Sequence, residues 1–362
     1  GRVVEVREAS TLKPPRAFPL PSFGLPRAST VRVGVTMPVE DGLSANDFVQ
    51  IAVEAEELGY DTVVCGEVAG AEVMAMLGMM AARTDRVRLA SGIIPTSTRS
   101  PVLAAMGFAT LSSMAPGRIS VGLGASSPII VDEWHGREFT KPLTTTRDFI
   151  EIFRRAISGE KTSMETETLR TRNFRLAIDP KAELPIWLAA INDRMLRLAG
   201  AMADGVFLTW CPPSEVQQKL EVVRSGAVEV GRDPSDIEVV LSFWGFEGEA
   251  EDVSMVRERC RRSVLEYAMV PTHRSAFLQA FPTLGEAAAA WEAGDREKAL
   301  EHTGDDVLDS MCSVGPSGVV SDRVTEYVDA GVDLPIVFVV GPGHSGPEPA
   351  LQTMRSTAKT LG

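Results

Sequence analysis

No run of eighteen apolar residues occurs in this 362-residue chain, and no basic segment precedes a short apolar one. The sequence therefore predicts neither a membrane-spanning helix nor a secretory leader. Cysteine is scarce: Cys65, Cys211, Cys260 and Cys312 lie far apart, with no C-x-x-C and no Cys/His cluster at zinc spacing. That excludes a disulfide framework and a structural metal as the organising principle, and it fits a reducing, cytoplasmic setting. Positive charge is in deficit, 36 Lys and Arg against 49 Asp and Glu for a net charge of -13. This is the wrong sign for a nucleic-acid partner, so the acidity reads as a solubility feature. A dinucleotide fingerprint is missing too: Gly122-Leu123-Gly124 lacks the third glycine of G-x-G-x-x-G and stands at a fourth strand, not a first.

What is present is strand–helix alternation, clearest in VRLASGIIPTSTRSPVLAAMGFATLSSMAPGRISVGLGASS, residues 87–127. Val87 to Ile94 is a short apolar run rich in β-branched and small residues, as a strand buried on both faces requires. Ser100 can cap a helix with Pro101 in its first turn, and Pro116-Gly117 stops it. Ile119 to Leu123 is a second buried strand, ending in Gly122, Gly124, Ser126 and Ser127. Glycines and small polar residues at strand ends let a ligand approach the backbone.

The same alternation extends along the chain. Strands are headed by Val31, Thr62, Val87, Arg118, Leu184, Gly205, Asp236 and Leu334, each followed by a helix. Eight such repeats predict a closed α/β barrel, (β/α)8, in preference to an open sheet. The sequence predicts a long loop over 124–146 containing Trp134-His135-Gly136, a short hairpin over 162–175, and a mostly helical insertion over 244–315 between strands seven and eight. An insertion of that length suits a lid or partner surface. The proline-rich segment 1–30 reads as an extended arm ahead of one domain over 31–362.

Three ordered blocks carry a resemblance: SGIIPTSTRSPVLAAMGFATLSSMAPGRISVGLG, WHGREFTKPL, and LPIWLAAINDRMLRLAGAMADGVFL. Together they resemble the bacterial-luciferase-like superfamily of flavin- and deazaflavin-dependent oxidoreductases. The branch using coenzyme F420, with methylenetetrahydromethanopterin reductases and glucose-6-phosphate dehydrogenases, is the most similar. The resemblance implies a bulge with a non-prolyl cis peptide at Gly92-Ile93, backing the cofactor ring. Pro38, Glu67, Ser126 and Ser127 would stand around that ring at strand ends. Ala189, Ala190, Ile191 and Asn192 would lead the phosphate tail to a helix N-terminus, where free N–H groups favour an anion. Asn192 equally suits a cap for its own helix, and Asn192-Asp193 stands where many relatives have a Gly-Pro pair.

Glu67, Ser127 and His135 are the candidate catalytic groups, with a solvated loop carboxylate and a loop-packing imidazole as the plainer readings of Glu67 and His135. The sugar-phosphate dehydrogenases of the family carry a histidine just after the acidic residue and a glutamate in the fourth-strand loop. Val68 and Ser127 stand in those places here. Lacking that acid–base pair, the chain is expected to act as a reductase, passing hydride from reduced coenzyme F420 to a polarised C=N or C=C bond of a small organic substrate. An FMN-dependent monooxygenase is the alternative on the same scaffold, and a non-catalytic binding barrel the alternative from another class. No membrane or nucleic-acid partner is expected. A homodimer through the second and third helices is implied, where Met74, Met76, Met79 and Met80 share one helix.

Overall fold

Short apolar runs such as TVVC and IWLA make the strands of a ring. In the computed structural model, which describes residues 31–37, 42–343 and 346–361, the elements follow in chain order. The first part comprises β1 (Gly34–Thr36), α1 (Ala45–Glu57), β2 (Thr62–Cys65), α2 (Val73–Ala81), β3 (Arg88–Ser91), the two-residue β4 (Ile94–Pro95), α3 (Pro101–Met114) and β5 (Ile119–Gly124). Next come α4 (Pro142–Ile157), a hairpin of β6 (Thr162–Glu165) and β7 (Arg170–Phe174), β8 (Ile186–Ala189), α5 (Asp193–Met202), β9 (Gly205–Thr209), α6 (Pro213–Glu229) and β10 (Glu238–Glu247). Five helices follow, α7 (Ala250–Met269), α8 (Arg274–Ala280), α9 (Leu284–Glu292), α10 (Arg296–Glu301) and α11 (Asp305–Met311). The chain then forms β11 (Cys312–Gly315), α12 (Val319–Asp329), β12 (Leu334–Val339) and α13 (Glu348–Leu361).

Parallel pairing runs β1-β2-β3-β5-β8-β9-β10-β12 and returns to β1, closing an eight-stranded (β/α)8 barrel. Alternation along each strand sorts side chains into two layers. Val35, Val63, Leu89, Val121, Leu188 and Val337 point outward into the core shared with the helices. Val64, Ala90, Trp187, Phe207, Val240, Leu334 and Ile336 fill the inside. A third cluster joins α7, α8, α9, α10 and α11 to Trp210, Trp244, Phe246 and Val340 at one end of the barrel.

Turn chemistry explains where elements stop. Ser44 accepts from the Asp47 N–H while Asp47 reaches back to Ser44, a capping box that starts α1. Gly59, at φ +86°, ends it in a conformation that favours glycine.

Three details depart from the sequence expectation. The loop after β5 contains a π-helical turn, Ile129–Trp134, and α4 begins at Pro142 because Lys141 turns the chain at φ +46°. Strand β10 continues to Glu247, four residues past the expected end at Phe243, because Trp244 to Glu247 pair with β11. That strand lies inside the segment expected to be mostly helical. The proposed arm over 1–30 lies outside the described residues.

Candidate active site

Burial changes along the strands in one direction only. β8, β9 and β12 are buried almost throughout, and Ala189, Thr209 and Phe338 become half-buried toward their C-terminal ends. Gly92 and Ile93, just past β3, are half-buried as well. In a barrel of this kind the C-terminal face is where loops from all eight strands converge on a ligand.

The Gly92-Ile93 peptide bond is cis, as the family resemblance implied. Glycines let backbones meet around it. A Cβ on Gly122 would lie 1.9 Å from Ser91 O, and one on Gly124 would lie 2.9 Å from Ile93 Cδ1. Ser91 Oγ ties the two strand ends together, donating to Gly122 O at 2.9 Å and accepting from Gly122 N at 2.8 Å. Gly92 itself has a different reason from the one its sequence context suggests. A Cβ there would come 2.1 Å from Val64 Cγ1 and 2.9 Å from Phe207 Cε1, both in the barrel interior. The missing side chain therefore relieves packing below the mouth.

Glu67 follows β2 and is not a solvated loop carboxylate. Its side chain is 11% exposed and is ion-paired with Arg99, which also bonds Glu72. Burial disfavours the charged Arg99, but the two carboxylates more than offset it and raise its pKa above the usual value. Burial, aided by the Glu67 and Glu72 charges, pushes the neighbouring Cys65 thiol up to about 12, so it is no thiolate nucleophile at neutral pH.

Ser126 takes a left-handed backbone, φ +66°, and turns the chain at the exit of β5. Ser127 Oγ accepts from Ile130 N at 3.4 Å, opening the π-helical turn. His135 caps the far end of that turn and is exposed, beside Trp134 at 53% exposure. The structure thus brings Glu67, Gly92, Ile93, Ser126 and Ser127 to one rim, while His135 faces solvent. Ala189 and Ala190 end β8, and Asn192 Oδ1 accepts from Met195 N at 3.2 Å as the N-cap of α5. Asn192 and Asp193 are exposed. Pro38 lies outside the described residues.

Sequence reasoning missed Arg99, although it sits within the central motif one residue before the capping Ser100. It also missed Trp210, Trp244 and Phe338 as a group, because three different strands supply them. Trp210 stands 5.2 Å from Trp244, whose ring stacks on Phe338 at 5.0 Å and 12°. A separate cleft of about 480 Å³ beneath α4 and the hairpin, lined by Arg147, Asp148, Glu165 and Met202 among others, is built from α4, the hairpin and the end of α5, not from the strand ends.

A closed barrel whose half-buried residues gather at the C-terminal ends of its strands is the architecture of a (β/α)8 enzyme. The chain belongs to the luciferase-like monooxygenase family, whose model matches residues 29–334. It is 28% identical over 186 residues to a 5,10-methylenetetrahydromethanopterin reductase of Methanolobus tindarius, covering 51% of this chain and 56% of that protein. A Mycobacterium tuberculosis protein named as a coenzyme F420-dependent oxidoreductase is 25% identical over 316 residues, 80% of this chain and 89% of the relative. Among solved structures, the coenzyme F420-dependent tetrahydromethanopterin reductase of Methanopyrus kandleri superposes with a TM-score of 0.75 at 20% identity, over 92% of this chain and 99% of that one. An FMN-bound 3,6-diketocamphane monooxygenase component of Pseudomonas putida gives 0.66 at 18%, over 91% and 98%. At those identities the two structures share the fold.

Proposed function

We propose that this chain is a coenzyme F420-dependent reductase acting on a polarised C=N or C=C bond of a small organic molecule. The observation that supports the reading is the loss of burial at the strand C-termini, where Ile93, Ala189, Thr209 and Phe338 are half-buried. A flat tricyclic ring suits the half-buried face there, and its cradle is the Gly92-Ile93 backbone with Gly124 beside it. Asn192 and the N-terminus of α5 would receive the phosphate tail, and Ser126 and Ser127 its polyol. Bound in reduced form, the deazaflavin supplies a hydride.

The protein's own residues then orient and exclude. Glu67, fixed by Arg99, holds one edge of the recess, and the helices α7 and α8 cover the aromatic side against water. Val68 and Ser127 leave the site without the histidine and glutamate of the sugar-phosphate dehydrogenases, which favours reduction. The Mycobacterium tuberculosis relative named for coenzyme F420 supports the cofactor, and the FMN-bound neighbour supports the alternative of a reduced-FMN monooxygenase. Titrating the purified chain with coenzyme F420 and, separately, with FMN tests the choice. Saturable quenching of deazaflavin fluorescence with no retention of FMN is expected; retention of FMN alone would install the monooxygenase.

Two further parts of the reading concern surroundings. The exposed Leu103, Met106 and Met114 of α3 with Met79 of α2 suit a homodimer face, which light scattering on the full chain tests. Four buried free thiols suit a reducing, cytoplasmic compartment. Among the described residues no helix is long and apolar enough to cross a membrane.

A further inference from the structure

Thr36, Phe338 and Trp244 stand side by side on β1, β12 and β10, Thr36 opposite Phe338 and Phe338 opposite Trp244 in register. Their flanking residues Val35, Met37, Val337, Val339 and Phe243 join the outer core, so these three face the barrel axis. Trp244 covers one face of Phe338, and Phe338 remains half-buried at the mouth. Trp210 backs Trp244, and Tyr267 of α7 leans on Trp210 at 4.9 Å. The hydroxyl of Thr36 is buried and has no hydrogen-bond partner among the described residues. A buried hydroxyl without a partner is a net cost to the fold, recovered when a ligand supplies the missing bond.

This wall carries no charge. His273, stacked on Tyr267 at 5.7 Å, is neutral because burial lowers its pKa to about 4. Arg99, toward this end of the barrel, is held by Glu67 and Glu72. An anionic ligand would find no counter-ion here, and a flat apolar one finds an aromatic face.

We propose that this layer is the subsite for the organic substrate and that it selects a flat, uncharged ring bearing a carbonyl group. The ring lies on the open face of Phe338, and its carbonyl accepts a hydrogen bond from Thr36 Oγ1. Oγ1 is closed to solvent in the free chain. This contact requires that rotation about χ1 to another staggered well bring Oγ1 to the mouth, a rotation that surrenders no hydrogen bond among the described residues. The inference rests on the redox reading only in calling the ligand a substrate; the binding itself needs no cofactor.

Calorimetry on the full chain without cofactor tests it with three probes of one shape. Coumarin is flat, uncharged and carries the carbonyl, 2H-chromene lacks the carbonyl, and coumarin-3-carboxylate adds a charge. Coumarin is expected to bind about tenfold tighter than either of the others. Thr36→Val should bring coumarin down to the level of 2H-chromene, leave 2H-chromene unchanged, and leave Tm equal or higher. Phe338→Leu should weaken coumarin and 2H-chromene together. Equal binding of coumarin and 2H-chromene, tighter binding of the carboxylate, or a Tm lowered by Thr36→Val would overturn the proposal. Coenzyme F420 titrated in parallel separates the two readings. Coumarin selectivity without coenzyme binding removes the redox function and keeps the subsite, and coenzyme binding without coumarin binding does the reverse.

Discussion

The two ends of the barrel are built on opposite terms. At the N-terminal end, buried charges are paired with one another. Arg32 donates to Asp61 at 2.9 Å and to Glu238 at 2.8 Å, Arg88 reaches Asp61 at 2.8 Å and Glu238 at 3.4 Å, and Trp187 Nε1 donates to Glu238 at 2.8 Å. Burial alone would raise the Asp61 carboxyl, but Arg88 and Arg32 hold it well below the usual carboxylate range. At the C-terminal end, Thr36 Oγ1, Arg99 Nε and His273 Nδ1 are buried without partners among the described residues, and the strand tips are half-open. One end spends its polar groups on closing the barrel; the other leaves them available to a ligand.

The largest effect should come from the closed end. Glu238→Ala strips Arg32, Arg88 and Trp187 of a shared acceptor and is expected to cost about 3–5 kcal/mol in urea unfolding, with cofactor affinity unchanged in the folded fraction. A smaller loss would show the network to be dispensable and weaken the contrast. Gly92→Val sits where the two ends meet. Its side chain has no room against Val64 and Phe207, so about 1–3 kcal/mol of stability should be lost together with cofactor binding. Retained stability would return Gly92 to a purely ligand-facing role.

Proton linkage gives a third test, at the open end. His273 has a native pKa lowered to about 4 by burial, against 6.5 for the ordinary group. The unfolded chain therefore binds the proton first, so this contribution is complete above about pH 6.5 and is lost as pH falls toward 4. Replacing it by His273→Phe should flatten the acid limb of stability by at most about 3 kcal/mol, read as Tm against pH. An unchanged limb would mean the imidazole titrates normally. Glu67→Gln should have the smallest effect on folding, about 0–1 kcal/mol, since it loosens one partly buried pair with Arg99. It should nevertheless weaken coenzyme F420 binding, and wild-type affinity would remove Glu67 from the site.

Much of the barrel was legible from the sequence because its signals are local. Apolar runs such as Thr62–Cys65 and Ile186–Ala189, with glycine stops such as Gly59, mark strands and helix ends within a few residues. β11 was not legible, since four residues after a helix gain their identity only by pairing with Trp244 to Glu247. The site divides the same way. Gly92-Ile93, Glu67 and the Ser126-Ser127 turn are candidates that a family resemblance marks along the chain, whereas Arg99 pairs with Glu67 across 32 residues. Trp244, Phe338 and Thr36 meet only through barrel closure, which no spacing in the sequence expresses. The packing reason for Gly92 was not legible either: which neighbours a missing Cβ would strike depends on residues from β2 and β9.

The claim that the open end is the ligand end is tested most directly by amide hydrogen exchange on the full chain with and without coenzyme F420. Added coenzyme should slow exchange over 66–72, 92–99, 125–128 and 190–193 and leave Arg32, Asp61 and the start of β10 untouched. Slowing confined to the cleft beneath α4 and the hairpin, or none at any strand tip, would contradict the account.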